Sequence, residues 1–321
     1  MNLVSRSVAT AALVAAALAV SPSARASAPM VKTQAPGFFR FMVGSFEVTV
    51  ISDGTVKLPR NKLLTGQPEK TSATLKRAFL PDEVETSLNA WLVNTGSKLV
   101  LIDTGAAALF GPTLGNVLAN LKAAGYQPEQ IDEIYLTHMH PDHVGGLISN
   151  GAIAFPNAKL RIEKAETDFW LDEARMKAAP ESAKGFFQGA MASVNPYVAA
   201  KKLETFSGAT ELVPGLRAEP SHGHTAGHTS YVVESGGQKL VIWGDLVHAA
   251  AVQFAEPGVA IQFDTDPKAA VAERKKDYAD AAKNGYLVGI SHVSFPGVGH
   301  VRTGTGGKGY EWLPINYTAN K

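Results

Sequence analysis

Short apolar runs alternate with polar turns that carry glycine along most of this chain. Residues 38–43 and 46–51 read as two strands, with Gly44-Ser45 as the turn between them. Asp53-Gly54 predicts a second turn. Residues 58–82 carry Pro59, Pro68 and Pro81 and show no long periodic pattern. They read as an irregular connection, either a loop over a site or a stretch of ordinary surface. Residues 86–94 and 98–103 are β runs joined by Thr95-Gly96-Ser97. Leu114, Val117, Leu118 and Leu121 recur at helical spacing, so a helix is predicted over 112–124, closed by Gly125. Strands follow at 134–136 and 159–162, then helices at 165–176 and 182–194. Those helices carry Phe169, Trp170, Phe186 and Phe187, which suit either core packing or an aromatic wall for a hydrophobic substrate.

The later part repeats the early pattern. Residues 231–234 and 239–243 are strands around Gly236-Gly237, and 287–290 is the last buried run. Asp266-Pro267 opens a helix that extends to about Ala282. Strand, turn, strand and polar loop therefore occur in both halves. The expectation is one domain over 38–321, built of two similar β-rich halves covered by helices, after a loose leader at 27–37.

The first 26 residues stand apart. Arg6 and the amino terminus are followed by an Ala/Leu/Val stretch at 8–20 and by Ala24-Arg25-Ala26. This is the layout of a signal peptide, cleaved before Ser27, and the apolar part is short for a membrane span. It predicts a periplasmic or secreted protein. Lys and Arg number 30 against 29 Asp and Glu, with no block of either sign, so neither nucleic acid nor a membrane is an expected partner. Cysteine is absent, which removes thiolate both as ligand and as nucleophile.

Residues 134–147 hold the densest chemistry. His138, His140, Asp142 and His143 lie at the end of an apolar run, and Gly145-Gly146 follows as an expected tight turn. Imidazole and carboxylate suit zinc and related divalent ions. His138 and His140 can reach one ion, whereas Asp142 and His143 follow too closely to share it, so a second ion beside the first is expected. Asp103, at the end of another β run, is a ligand or an acceptor that orients one. All nine histidines lie between 138 and 300.

The string His138-Met139-His140-Pro141-Asp142-His143 resembles the signature of the metallo-β-lactamase-fold hydrolases. That resemblance implies a four-layer αβ/βα sandwich of the α/β class and a centre of two divalent ions, with zinc favoured and manganese, cobalt or iron as alternatives. It assigns His224 of the Gly-His-Thr element as a further ligand and Asp245 as the carboxylate shared by both ions. His292 and His300 compete for the last place. His292 is favoured because it directly follows a buried strand. The implied cage is then His138, His140 and His224 on one ion, Asp142, His143 and His292 on the other, and Asp245 between them. Asp103 is expected to orient a ligand, His228 to be structural or to support a ligand from behind, His222 to orient its loop, and His248 to line the pocket as a donor or proton shuttle.

From Phe38 to Tyr317 the chain is similar to the methyl parathion hydrolase family and its relatives among exported lactonases and aryl esterases. The segments that carry this are 99–107, 137–147, 185–187, 221–229 and 291–297. The resemblance implies a hydrophobic pocket, a metal-bridging hydroxide as nucleophile, and a homodimer. Where that family has an apolar residue close to the ions this chain has His248, and Ile261 and Phe263 are bulkier than the corresponding wall. The expected pocket therefore comprises Trp170, Phe186, Phe187, His248, Ile261 and Phe263, with Asp142, Asp245 and His248 as the proton-handling groups. A narrow pocket favours a small hydrophobic aryl ester or a dihydrocoumarin-type lactone. Phosphotriester hydrolysis is the alternative, and a non-catalytic exported metal-binding protein is the alternative of another class.

Overall fold

The period-two alternation of the apolar runs decides the layers. On neighbouring strands Ala90, Leu92, Leu99 and Leu101 face one side, while Trp91, Val93, Val100 and Ile102 face the other, and all are buried. A strand buried on both faces needs cover on both. In this computed structural model, which describes residues 28–317, a second sheet covers one face and helices the other. The predicted signal peptide at 1–26 lies outside the described residues. The chain divides at Ala35/Pro36. The described residues before that point form no helix or strand.

The strands begin with β1 (Phe38–Val43), β2 (Phe46–Pro59), β3 (Glu83–Asn94), β4 (Leu99–Ile102) and β5 (Glu133–Tyr135). A small hairpin, β6 (Ile148–Ser149) and β7 (Ala152–Ile153), precedes β8 (Lys159–Glu163) and β9 (Leu203–Phe206). The first seven-stranded sheet is ordered β1-β2-β3-β4-β5-β8-β9. Then come β10 (Thr210–Val213), β11 (Leu216–Pro220), β12 (Thr229–Ser235), β13 (Gln238–Ile242), β14 (Leu287–Gly289), β15 (Val298–Thr303) and β16 (Tyr310–Pro314), which form the second sheet in chain order. Both sheets open with antiparallel pairings and then turn parallel, at β4/β5 and at β13/β14. Between the sheets lie Trp91, Ile102, Tyr135, Tyr231, Leu240 and Ile242. Outside the second sheet, Trp243 and Val288 pack on Tyr278 and Ala281 of the helix Pro267–Asn284. The expected helix–sheet–sheet–helix sandwich is observed, and each such fully buried side chain contributes roughly 1.5–3 kcal/mol of hydrophobic free energy.

Three local expectations differ. Asp53-Gly54 is no turn: β2 runs through it, with a register shift between Ser52 and Gly54. The buried Asp53 carboxylate instead accepts from the backbone N–H groups of Ala106, Gly115 and Val117 at 2.9, 3.0 and 3.2 Å, tying β2 to the loop after β4. That tie also shortens the helix predicted over 112–124 to Val117–Ala123, because Gly115 adopts φ of 91° to present its N–H. The stretch 58–82 contains two helices, Arg60–Leu63 and Pro68–Arg77, the second with proline at its start.

Gly145 and Gly146 serve close approach and not a left-handed turn. A Cβ on Gly145 would lie 2.0 Å from the Ala106 carbonyl oxygen, and one on Gly146 would lie 1.9 Å from that of Thr104. The His-bearing loop is thus clamped against the loop after β4. Gly146→Ala should cost about 1–3 kcal/mol, since backbone has to move to admit one methyl group. Urea unfolding checks this; an unchanged midpoint would mean that the two loops separate easily.

Candidate metal centre

The loops at the C-terminal ends of the two parallel pairs meet. Asp103 follows β4, residues 137–147 follow β5, Asp245 and His248 follow β13, and His292 follows β14. His224 comes from the loop between β11 and β12. His140 caps the short helix Pro141–Val144, and Pro141 at its first position presets the bend that separates His138 and His140 from Asp142 and His143.

All the predicted ligands converge. His138, His140, His224 and Asp245 offer ligand atoms within 4.8 Å of one another, as do Asp142, His143 and His292. Asp245 sits between them. Its Oδ2 is 3.7 Å from His138 Nε2, 3.4 Å from His224 Nε2 and 3.0 Å from His292 Nε2. Its Oδ1 is 3.2 Å from His143 Nε2. His140 presents Nδ1, 3.1 Å from His224 Nε2. Asp142 Oδ2 lies 3.5 Å from His292 Nε2 and 3.7 Å from His143 Nε2. His138 Nε2, His143 Nε2 and Asp245 Oδ1 are buried with no hydrogen-bond partner. Orphaned polar atoms that converge in a dry cage of imidazoles and carboxylates fit cations, so the donor set suits two divalent ions.

Four of the five cage imidazoles are aimed from behind. His143 donates Nδ1–H to Asp103 Oδ2 at 2.8 Å, and His224 donates Nδ1–H to Asp264 Oδ1 at 2.8 Å. His292 donates to the Ser87 carbonyl at 3.2 Å, and His138 Nδ1 meets Thr137 Oγ1 at 3.0 Å. These partners fix the tautomers and turn the other nitrogens into the cage. Asp103 itself holds a left-handed φ of 60°, secured because its carboxylate also accepts from Thr137 N–H and Oγ1–H, both at 2.8 Å. His228 accepts the Asp245 backbone N–H at 3.1 Å while donating Nδ1–H to the Ser221 carbonyl at 2.9 Å. Burial pushes His228 down to about 3, so it stays neutral in this role.

Charge within the metal-free cage is uneven. Burial lowers His138 and His140 well below the usual imidazole range, and their cationic neighbours add to it. Burial opposes protonation of His143 and His224 too, but carboxylates outweigh it. Asp245, Asp142 and Asp103 hold His143 well above that range, and Asp245 and Asp264 raise His224 to about 9. Asp245 is held well below the carboxylate range by His292, His143, His248 and His138 in spite of its burial.

The remaining predicted residues separate. His300 is exposed on β15, away from the cage. His222 is exposed at the surface, with Glu163 2.8 Å away. His248 Nε2 lies 3.1 Å from Asp245 Oδ2, close enough that Asp245, His248 and His292 form an alternative ligand group. With Asp142, Asp245, His292, Phe186 and Phe263 it lines a chamber of about 20 Å³ at the cage. Trp170, Phe186, Phe187 and Phe263 wall an adjoining groove of about 600 Å³. Ile261 belongs to neither lining. It is fully buried against Leu64, Leu75, Ala249 and Val252, because its backbone pairs with Leu64 and turns the side chain inward. Sequence reasoning missed Asp264, Arg60 and Glu166. Glu166, fully buried, accepts from Met139 N–H at 3.1 Å and Gly227 N–H at 2.8 Å, stapling two ligand loops together.

A model of the metallo-beta-lactamase superfamily matches residues 85–292, which includes every residue of the cage. The chain belongs to that superfamily. Among curated proteins it is 31% identical over 171 residues to an N-acyl homoserine lactonase of Bacillus cereus, covering 47% of this chain and 60% of the relative. A second N-acyl homoserine lactonase, from Bacillus sp., is 29% identical over 164 residues, covering 45% of this chain and 57% of the relative. The match thus spans under two thirds of either relative. Among solved structures, the hydrolase AbOPH of the beta lactamase superfamily matches with TM-score 0.84 and 39% identity, covering 89% of this chain and 100% of that one. AidC, a dizinc quorum-quenching lactonase, matches with TM-score 0.79 and 30% identity, covering 88% and 99%.

Because His143 and His224 carry protons in the metal-free cage at neutral pH, ion binding has to displace them. The heat of zinc binding should therefore vary with the ionisation enthalpy of the buffer, by about two protons per chain, and affinity should fall as pH is lowered. A buffer-independent heat would refute this. His292→Ala should lose an ion and Asp245→Ala should weaken both sites, whereas His300→Ala should keep full metal content by atomic absorption.

Proposed function

We propose that this protein is a metal-dependent hydrolase of lactones and aryl esters, with small aromatic lactones of the dihydrocoumarin type as its favoured substrates. The observation that carries this reading is a water-sized chamber at the cage, beside a much larger aromatic groove. The chamber suits a planar carbonyl, and the groove takes the apolar remainder of the molecule. Two divalent ions in the cage, zinc first among the candidates, would supply a Lewis acid and a nucleophile near neutral pH.

The chain's own residues orient and move protons. His248 is kept neutral, since burial lowers it to about 3, and its Nε2–H donates to Asp245 Oδ2. Asp142, 13% exposed at its side chain, is the carboxylate through which a proton can reach solvent. Phe186 and Phe263, with ring centroids 6.2 Å apart, border both cavities and exclude water from the reacting group. A phenolate leaves readily, so a strong general acid is not required.

N-acyl homoserine lactones are the second reading. It is favoured by the likeness to AidC and by a groove of about 600 Å³ with an aromatic wall, which suits an apolar acyl chain. Phosphotriester hydrolysis, suggested by the methyl parathion hydrolase-like segments, ranks below both, because a tetrahedral phosphoryl centre with three substituents needs more width than the chamber offers. The signal-peptide pattern at 1–26 supports a periplasmic or secreted enzyme. A homodimer is proposed from the family resemblance.

Rates across dihydrocoumarin, N-acyl homoserine lactones, a β-lactam and an aryl phosphotriester test the reading. The aryl lactone should lead and the phosphotriester should trail by at least tenfold; the reverse order would overturn it. His248→Leu should raise the phosphotriester-to-lactone ratio by roughly tenfold, about 1.4 kcal/mol of differential transition-state stabilisation, with metal content unchanged. Loss of a metal ion in that variant would make His248 a ligand instead.

A further inference from the structure

Arg60 is fully buried, yet its guanidinium is almost without partners. Among the described residues its one side-chain hydrogen bond is from Nη2 to Thr86 Oγ1, at 3.0 Å, and Nε and Nη1 have none. A buried cation left unpaired in this way costs several kcal/mol, roughly, so its retention at such a position calls for a ligand. Its place in the fold says which. Arg60 lines the chamber of about 20 Å³ together with Asp142, Asp245, His248 and His292. That volume admits about one oxygen-sized group, so a group that enters the chamber comes close to Arg60 as well as to the cage residues. Burial lowers Arg60 only to about 10, and the carboxylates of Asp245 and Asp142 counter it, so it remains a cation at neutral pH. Divalent ions bound in the cage would neutralise those two carboxylates. The guanidinium would then lack a counter-charge until an anionic oxygen arrived.

We infer that Arg60 contacts the scissile carboxyl group and holds the negative charge that hydrolysis places on its oxygens. The inference rests on the reading that the reacting group is an ester or lactone carbonyl. In that reaction the oxygen of water bonds to the acyl carbon and the acyl–oxygen bond of the ring breaks. The leaving oxygen keeps one proton, a second proton goes to solvent, and a carboxylate remains. The charge starts on the carbonyl oxygen and ends shared over the carboxylate, so Arg60 binds neutral lactone weakly and the charged species well. Differential binding of this kind lowers a barrier.

The test measures binding on the zinc-loaded protein by calorimetry, with 3-(2-hydroxyphenyl)propionate and its uncharged primary amide as probes. Arg60→Met should weaken the acid at least tenfold and change the amide less than threefold. Arg60→Lys should recover the acid to within threefold of the unsubstituted protein, and all three proteins should hold equal zinc. Unchanged acid affinity in Arg60→Met, or a parallel loss for acid and amide, overturns the proposal, and so does zinc loss in that variant. If Arg60→Met does not fold, Thr86→Val reads the same contact by releasing Nη2. At least threefold weaker acid binding with the amide unaffected supports the proposal, and equal effects on both refute it. No turnover is needed, so a protein that discriminates acid from amide through Arg60 yet leaves lactones intact would sink the proposed function while leaving the contact between Arg60 and a carboxylate standing.

Discussion

Asp245 carries a negative charge into a cage where its side chain is only 3% exposed. Five imidazoles, from His138, His143, His224, His248 and His292, place a nitrogen within 3.0–3.7 Å of its carboxylate. No arrangement of protons alone satisfies this cluster. Protonating every ring would pack cations against one another in a medium of low dielectric, and protonating none would leave the carboxylate uncompensated. The metal-free cage therefore settles unevenly, with some rings held neutral by burial and others held charged by carboxylates. Two divalent ions, which this donor set suits, would resolve the conflict by replacing mutually repelling protons with fixed positive charge.

The rest of the fold keeps those donors in place once they converge. Four loops from two sheets have to arrive within a few ångströms, and each is tied by a buried polar group behind it. Asp103 joins the loop after β4 to that after β5 through Thr137 and His143. Glu166 joins the latter to the β11–β12 loop. His228 joins the β11–β12 loop to Asp245. A chain of such ties makes the positions of the ligands interdependent, so a change at one tie reaches ligands that it does not touch. The glycine contacts of Gly145 and Gly146 do the same work sterically, by letting two backbones pack with no side chain between them.

How much of this was legible in the sequence follows from how local each signal is. His138, His140, Asp142 and His143 lie within one turn of chain, so their chemistry could be read directly, and His292 could be preferred to His300 because it ends a buried strand. Asp264 and Arg60 carry no such mark. Each is a single charged residue whose role exists only because the fold brings it next to residues 40 or more positions away, His224 for one and the Asp142/Asp245 pair for the other. Ile261 misleads for the related reason that period and hydrophobicity place a residue in the interior but do not say on which side of a loop it lands. Asp53-Gly54 has the composition of a turn, and only the long-range acceptor role of Asp53 turns it into a bulge within β2. The stretch 58–82 hides its helices because they are short and start beside prolines.

The layout also separates what is fixed from what can vary. All the ligands but His224 sit at the ends of parallel strands, where register holds them. Parallel strands cannot be joined by a tight turn; they need long crossovers that pass over the sheet. Here the crossover from β8 to β9 contains the helix Glu181–Ala199 and supplies Trp170, Phe186 and Phe187, and that from β13 to β14 supplies Phe263 and Asp264. The aromatic groove is thus built from segments whose length and sequence can change while the strand ends stay in register. His140 and Asp264 are the points of contact between the two systems, since both line the groove while one faces the cage and the other orients His224. Substitutions in the crossovers that spare the ligands themselves, Glu166 and the Phe263-Asp264 pair alter the shape offered to a substrate and leave the ligand set in place. Those that move Phe263 also move its neighbour Asp264, and through it His224, while on the first-sheet side Trp170 and Phe186 pack edge-on against His140 with ring centroids 5.3 and 5.0 Å away, so pocket shape and metal geometry are coupled from both sides.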